Sequence, residues 1–261
     1  MSADTSKENP ELKKVLSKIA IPAGLLILSF LPLRSWADNP GDYLRTRTYI
    51  GLFGTSVSLD NGGEFTGLNY SRNNSGFYEI DLIPALSQNF GFGLMFGHRD
   101  EAWAGELSFW QSSHSATFGP GTVGSISGSS VTFNQAFQDN ATYRSINLDF
   151  KRYFLTEMQI QPFVNLGVAF PWITVNNASS DASGNTGTLT LAGLGLNLGA
   201  GAEYYLTPMF SVTGGLFYRF ASFDQAKGVG GSYYPLAIYG SPTSDEGSGF
   251  TFTLGTSVGF Q

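Results

Sequence analysis

The chain contains no cysteine. That excludes disulfide frameworks, thiolate catalysis, cysteine-ligated zinc and lipid attachment through a cysteine. Histidine is nearly missing as well, and His98 with His114 leaves little for a metal. Charge is sparse: Asp, Glu, Lys and Arg make up 13% of the 261 residues, about half the usual ~25%. An ordinary water-facing surface needs more. The net charge of −6 and pI of about 4.8 exclude the clustered Lys and Arg that nucleic-acid phosphates require, so no nucleic-acid partner is expected. What the chain does have is aromatics, at 15%, and 33 glycines. That aromatic content excludes a disordered chain. The protein folds, in surroundings unusually apolar.

The N-terminal stretch has the layout of an export signal. Lys13, Lys14 and Lys18 precede an apolar run from Ile19 to Leu33, and Ser35-Trp36-Ala37 offers a small-x-small cleavage site before Asp38. The run is short for a spanning helix and is interrupted by Pro22 and Pro32. We therefore read 1–37 as a cleaved signal peptide, 38–44 as a short periplasmic segment and 45–261 as the mature domain. The acidic Asp4, Glu8 and Glu11 are unusual in such a leader and leave the true start codon open.

Beyond the leader no stretch is long and apolar enough to span a membrane as a helix, so a membrane-embedded domain has to be a closed barrel. The residue pattern agrees. Phe250, Phe252, Leu254, Thr256, Val258 and Phe260 alternate with small or polar residues, a period of two that helices do not show. Similar alternation recurs upstream and gives these outward faces: Tyr49, Phe53, Val57, Leu59; Phe90 to Phe96; Trp103, Leu107, Phe109; Ile146, Leu148, Phe150; Val164 to Trp172; Leu194 to Tyr204; and Phe210, Val212, Leu216, Tyr218, Phe220. With the C-terminal set this makes an all-β fold, an eight-stranded antiparallel up-and-down transmembrane β-barrel. Tight turns at Arg99 to Ala102, Leu155 to Gln159 and Leu206 to Met209 alternate with long loops at Asp60 to Gln88, Ser113 to Asn140, Asn176 to Thr186 and Asp224 to Ser248. That alternation places both ends of the domain, and the tight turns, in the periplasm. Phe77 to Ala85 is too apolar for a plain loop and is expected to extend the second strand above the membrane, with Pro84 at a bulge. Thr186 to Leu206 exceeds one membrane crossing and is expected to project outward too.

The segments NFGFGLMFGHR (Asn89 to Arg99), ELSFWQSSHSATF (Glu106 to Phe118), YRSINLDFKRYF (Tyr143 to Phe154) and LGLNLGAGAEYYLTP (Leu194 to Pro208) carry a resemblance to small bacterial outer-membrane β-barrels. That family includes the OmpA transmembrane domain and OmpX-like proteins. With the last strand the resemblance covers most of residues 45–261. It implies a location in the bacterial outer membrane, contact with outer-membrane lipid and lipopolysaccharide, and insertion by the barrel assembly machinery. Members often end on an aromatic residue that this machinery reads. Here Phe260 is penultimate and Gln261 follows.

On the inward face the alternation places Arg99, Glu106, Asp149, Lys151, Glu203 and Arg219. In a narrow lumen such charges pair, because an unpaired buried charge costs several kcal/mol. They are read as a polar network closing the lumen, with a gated polar pathway as the rival and a catalytic carboxylate pair as a third reading. Tyr49, Trp103, Phe154, Trp172, Tyr204, Tyr218 and Phe260 form the expected aromatic girdle. Arg144 and Arg152 bracket Ile146, Leu148 and Phe150 and can reach lipid headgroups. His114 lies in SSHSAT, where only Ser112 shares its face, and with no orienting acid it is read as a rim residue. His98, beside Asp100 and Glu101, is taken as turn polarity. No catalytic residue, metal or cofactor is assigned. The expected role is non-enzymatic, structural or surface-interacting through long extracellular loops whose ligand is unknown. A narrow pore or transporter is the alternative, a lipid-modifying barrel enzyme a further one. A soluble lipocalin-like barrel would have an apolar interior instead of an apolar exterior.

Overall fold

The computed structural model describes residues 43, 46–57, 69–74, 77–82, 85–118, 121–126, 129–133, 137–181, 185–229, 231, 234–235, 245–246 and 248–260. The expected signal peptide, nearly all of 38–44, Leu59, Pro84 and Gln261 lie outside them.

Eight long strands form the wall: β1 (Arg47–Val57), β2 (Asn89–Asp100), β3 (Trp103–Phe118), β4 (Phe137–Tyr153), β5 (Ile160–Asp181), β6 (Thr186–Thr207), β7 (Phe210–Lys227) and β8 (Gly249–Phe260). Each pairs antiparallel with its neighbour in sequence, and β1 also pairs with β8 through Thr48↔Phe260 to Val57↔Thr251. The ring is therefore closed, with every wall strand hydrogen-bonded on both sides. Three connections are tight, at 101–102, 154–159 and 208–209. Glu101 and Leu155 take positive φ there, at 47° and 52°.

The wall carries an apolar belt. On β5 the exposed apolar residues run from Ile160 to Phe170, and at ~3.4 Å per residue and a tilt of 35–45° this is a band about 25 Å tall, the height of a hydrocarbon layer. Phe90 to Phe96, Leu107, Leu148, Leu194 to Leu198, Leu216 and Phe250 to Leu254 continue it around the barrel.

β5 and β6 are each 22 residues long and outrun the belt. The expected long loop from Asn176 to Thr186 is a correction: strand continues to Asp181 and resumes at Thr186, so the connection is only 182–185. Its polar residues look like a loop because a strand in water on its outer face needs polar side chains there. The loop expected at Ser113 to Asn140 is likewise shorter. β3 runs to Phe118, β4 starts at Phe137, and a small hairpin of 121–126 and 129–133 stands between them. Phe77–Leu82 is strand but does not extend β2. It pairs with Asn69–Asn74 and with Ser179–Asp181 at the overhang of β5, covering an edge that β5 would otherwise leave open.

Two irregularities shape the upper barrel. Asn176 and Asn177 face outward in succession on β5, with Asn177 at φ 52°, and Asp224 and Gln225 do the same on β7. Each pair is a bulge that reverses the inward parity, so that Ala178 and Ala226 point inside.

The facing of β1 is a second correction. Tyr49 and Val57 are buried inside and Phe53 lines the lumen, while Ile50 and Leu52 face out. Both parities of RTYIGLFGTSV are apolar, so alternation alone does not choose between them. Glycines choose: a Cβ at Gly97 would overlap the Tyr49 ring, and one at Gly93 or Gly255 would collide with Phe53. Those glycines are the sockets the two rings occupy.

Candidate functional site

The lumen is filled in three storeys, counted from the tight-turn end. The first is ionic. Arg99, 1% exposed, donates from Nε to the Glu101 carbonyl at 2.7 Å, from Nη1 to Tyr205 Oη at 2.7 Å and from Nη2 to Gln161 Oε1 at 2.5 Å. Its guanidinium lies 3.9 Å over the Tyr153 ring and 3.6 Å from Glu203 Oε2. Arg47 stacks on Tyr205 at 4.2 Å, donates to the Tyr205 hydroxyl, and donates to the Pro208 carbonyl at 2.8 Å. One step up, Glu106 Oε2 accepts from Lys151 Nζ at 2.6 Å and from Tyr49 Oη at 2.9 Å, and Ser211 donates to Glu203 Oε1 at 2.5 Å. Each carboxylate here is met by a cation and a hydroxyl, the condition under which buried charges persist.

The second storey is polar and loosely filled. Asp149 Oδ1 accepts from Asn165 at 2.9 Å and from Asn197 at 3.3 Å, and Asn147 donates to Ser108 at 3.1 Å. A cavity of about 60 Å³ lies among Met95, Ser108, Asp149, Asn197, Phe217 and Arg219. Arg219 donates to Tyr143 Oη and to Thr251 Oγ1, each at 3.0 Å, and stacks 4.5 Å over Trp110.

The third storey is an apolar core above the belt. Val57, Leu86, Ala116, Tyr143, Ile173, Val175, Leu189, Leu191 and Phe223 pack together, with Trp110 stacked on Tyr143 at 5.0 Å. The outward neighbours of these residues, Ser113, Ser115, Asn140, Thr188 and Asp224, are exposed and polar. His114 sits at the edge of this core. Its Nε2 lies 2.6 Å from Ser112 Oγ and its Nδ1 2.6 Å from the Ser87 carbonyl, an arrangement that ties 85–88 to β3. Burial lowers its pKa below the ordinary 6.5, and the bond to Ser87 partly opposes that shift. Ser112 and His114 are each 2% exposed, and neither lines the cavity of the second storey.

All six charged residues picked from alternation face the lumen. Arg99 meets Glu203, and Lys151 meets Glu106, while Asp149 and Arg219 have no ion-pair partner among the described residues. Glu106 and Glu203 are met by different cations, Lys151 and Arg99. Of the girdle residues, Trp103, Phe154, Tyr204 and Phe260 are exposed at the tight-turn rim. Trp172 and Tyr218 lie at the upper rim, beside Phe109 and Phe250. Tyr49 belongs to the lumen instead, because its ring fills the space beside Gly97 and its hydroxyl reaches Glu106. Arg152 lies 4.5 Å over the Trp103 ring at the lower rim, and Arg144 donates to Gln111 at the upper one. Sequence reasoning passed over Asn147, Asn165, Asn197 and Gln161. The signal was present, as Ile-Asn-Leu at 146–148 and Leu-Asn-Leu at 196–198 place an uncharged amide on the inward parity.

No family model matches the chain, and no curated protein matches it. Similar solved structures are small outer-membrane barrels. They include Neisserial surface protein A, at 13% identity and a TM-score of 0.43, with 82% of this chain and 97% of that one covered. Ail, the attachment invasion locus protein of Yersinia pestis, gives 13%, 0.39, 82% and 97% in the same order. Outer membrane protein OprG from Pseudomonas aeruginosa gives 14%, 0.48, 86% and 100%.

Proposed function

We propose that this chain is an integral barrel of a bacterial outer membrane, delivered by a cleaved leader and inserted by the barrel assembly machinery. In this reading it is non-enzymatic. Its sealed lumen makes the barrel a rigid support that holds the upper β-extension and loops out to a surface ligand. The observation that carries the reading is the reversal of polarity along the same strands: apolar out and polar in along the belt, polar out and apolar in above it. A soluble lipocalin-like barrel has no use for a 25 Å apolar exterior, and an open pore has no use for lumen-filling Arg99, Tyr205, Tyr143 and Phe223. Trp103 with Arg152 and Trp172 with Arg144 mark the two headgroup levels, where lipopolysaccharide and phospholipid are the expected contacts.

The test is protein refolded in detergent, run unheated and heated on a gel, then recorded in a planar bilayer. A heat-modifiable band with no conductance supports the sealed barrel. Discrete conductance steps would overturn the seal and put the pore reading in its place. Topology is checked with single cysteines in this cysteine-free chain: Thr122→Cys should react with an impermeant maleimide on whole cells, and Glu157→Cys should not.

A further inference from the structure

The polar cavity of the second storey has two unlike walls. Glu106, Asp149 and Lys151 come from β3 and β4; both carboxylates already accept two hydrogen bonds, and the Lys151 ammonium is held by Glu106. Thr55, Thr213, Thr251, Thr253 and Arg219 come from β1, β7 and β8, and all can donate a hydrogen bond, though Thr251 also accepts one from Arg219. Arg219 is 4% exposed and, among the described residues, meets only neutral acceptors, Tyr143 and Thr251. Its Nε, and the hydroxyl of Thr55, have no hydrogen-bond partner among the described residues. Of the two carboxylates in the wall, Glu106 is taken by Lys151, which leaves Asp149 as the candidate counter-charge. It stands three strands away along one ladder row, through Asp149↔Gly167, Gly167↔Asn197 and Asn197↔Arg219. Its Oδ1 is turned to the amides of Asn165 and Asn197.

A buried guanidinium with neutral partners and a spare N–H is costly unless something negative meets it. The cavity of about 60 Å³ is larger than the ~15 Å³ one water needs, so a small ion with residual hydration fits. We propose that the donor wall of this cavity, Arg219 Nε with the Thr55 hydroxyl, is a binding site for a small monovalent anion such as a halide. The anion would enter during folding, before the two ends of the lumen close, and would serve as the missing counter-charge.

The experiment refolds the full chain in sodium bromide or in sodium gluconate at equal ionic strength. It reads the temperature at which the fast-migrating folded band disappears, and locates bromine by anomalous diffraction from crystals grown in bromide. The proposal expects a higher transition temperature in bromide and a bromine peak within hydrogen-bond distance of Arg219 Nε. Arg219→Met should abolish both and should match or exceed the wild type in gluconate, since the uncompensated charge is gone. Should that variant not refold, Thr55→Val, which deletes one hydroxyl, should reduce the bromide effect. Asp149→Asn should increase it by removing the competing carboxylate. Equal transition temperatures without a peak at Arg219, or a bromide effect undiminished in Arg219→Met, would overturn the proposal. In the first case ordered waters linking Arg219 to Asp149 would assign the cavity to a water-bridged ion pair.

Discussion

Thr188-Leu189-Thr190-Leu191 and Leu194-Gly195-Leu196-Asn197 are neighbouring stretches of one strand with the same inward parity, and they are opposites in polarity. In the upper stretch the leucines are buried inside and the threonines look out. In the lower one the leucines look out, and Gly195 and Asn197 look in. The backbone is the same β ladder in both, paired with β5 and β7. What differs is the solvent outside. Lipid asks for apolar side chains and leaves the lumen to polar groups that satisfy one another, whereas water asks for the reverse. The molecule is thus two barrels joined end to end, a membrane one held inside by ion pairs and an aqueous one held inside by a hydrophobic core.

The comparison can be broken first at its two interiors. Lys151→Met should cost about 3–5 kcal/mol by leaving Glu106 buried and uncompensated. Adding Glu106→Gln should recover most of that loss in urea unfolding from lipid vesicles. Phe223→Ala in the upper core should cost a similar ~3–5 kcal/mol through the cavity it leaves, with no polar partner to rescue it. A Lys151→Met effect that the second substitution did not relieve would remove the ion-pair account of the lower half.

The two exteriors give the next largest effect. Leu196→Arg on the belt should cost about 2–4 kcal/mol in the same assay, the penalty for a basic residue facing the middle of the lipid. Thr188→Arg, exposed on the same strand above the belt, should fall within about ±0.5 kcal/mol. Equal costs would mean that the boundary between the halves is misplaced.

The smallest effect is on pH and belongs to the upper half alone. His114 lies above the belt, and burial holds its pKa below 6.5, so its contribution to stability is complete above about pH 6.5 and is lost as pH falls through the lowered value. Acidification should therefore lower the protection factors (hydrogen exchange referred to the intrinsic rate at the same pH) of the Ser87 and Ser115 amides, which link 85–88 to β3. His114→Gln should remove that pH dependence and leave the lower half unchanged. Protection factors at those amides that did not change with pH in the wild type would rule out this role for His114.

How far the fold is legible in the residues follows from the same division. Along the belt the alternation of Phe90 to Phe96 or Leu194 to Leu198 fixes both strand and facing, because lipid tolerates nothing else outside. The charged lumen residues follow by parity. Above the belt legibility fails: NNASSDASGNTG at 176–187 has the composition of a loop and is largely strand. Polar residues are right for a loop and equally right for the wet face of a sheet. The bulges at Asn176-Asn177 and Asp224-Gln225 compound the difficulty, since each reverses parity within a strand.

Sequence alone determined the class of the molecule, its eight strands and the facing of seven of them, since a period of two beside a hydrocarbon solvent has a single solution. Tertiary structure decided the rest. It turned Tyr49 and Phe53 inward, because only the closed ring sets them against Gly97, Gly93 and Gly255. It matched Lys151 to Glu106 and Arg99 to Glu203, and left Arg219 without a carboxylate among the described residues. Side-chain partners across a lumen depend on the stagger at which the ring closes, and that stagger is a property of all eight strands together.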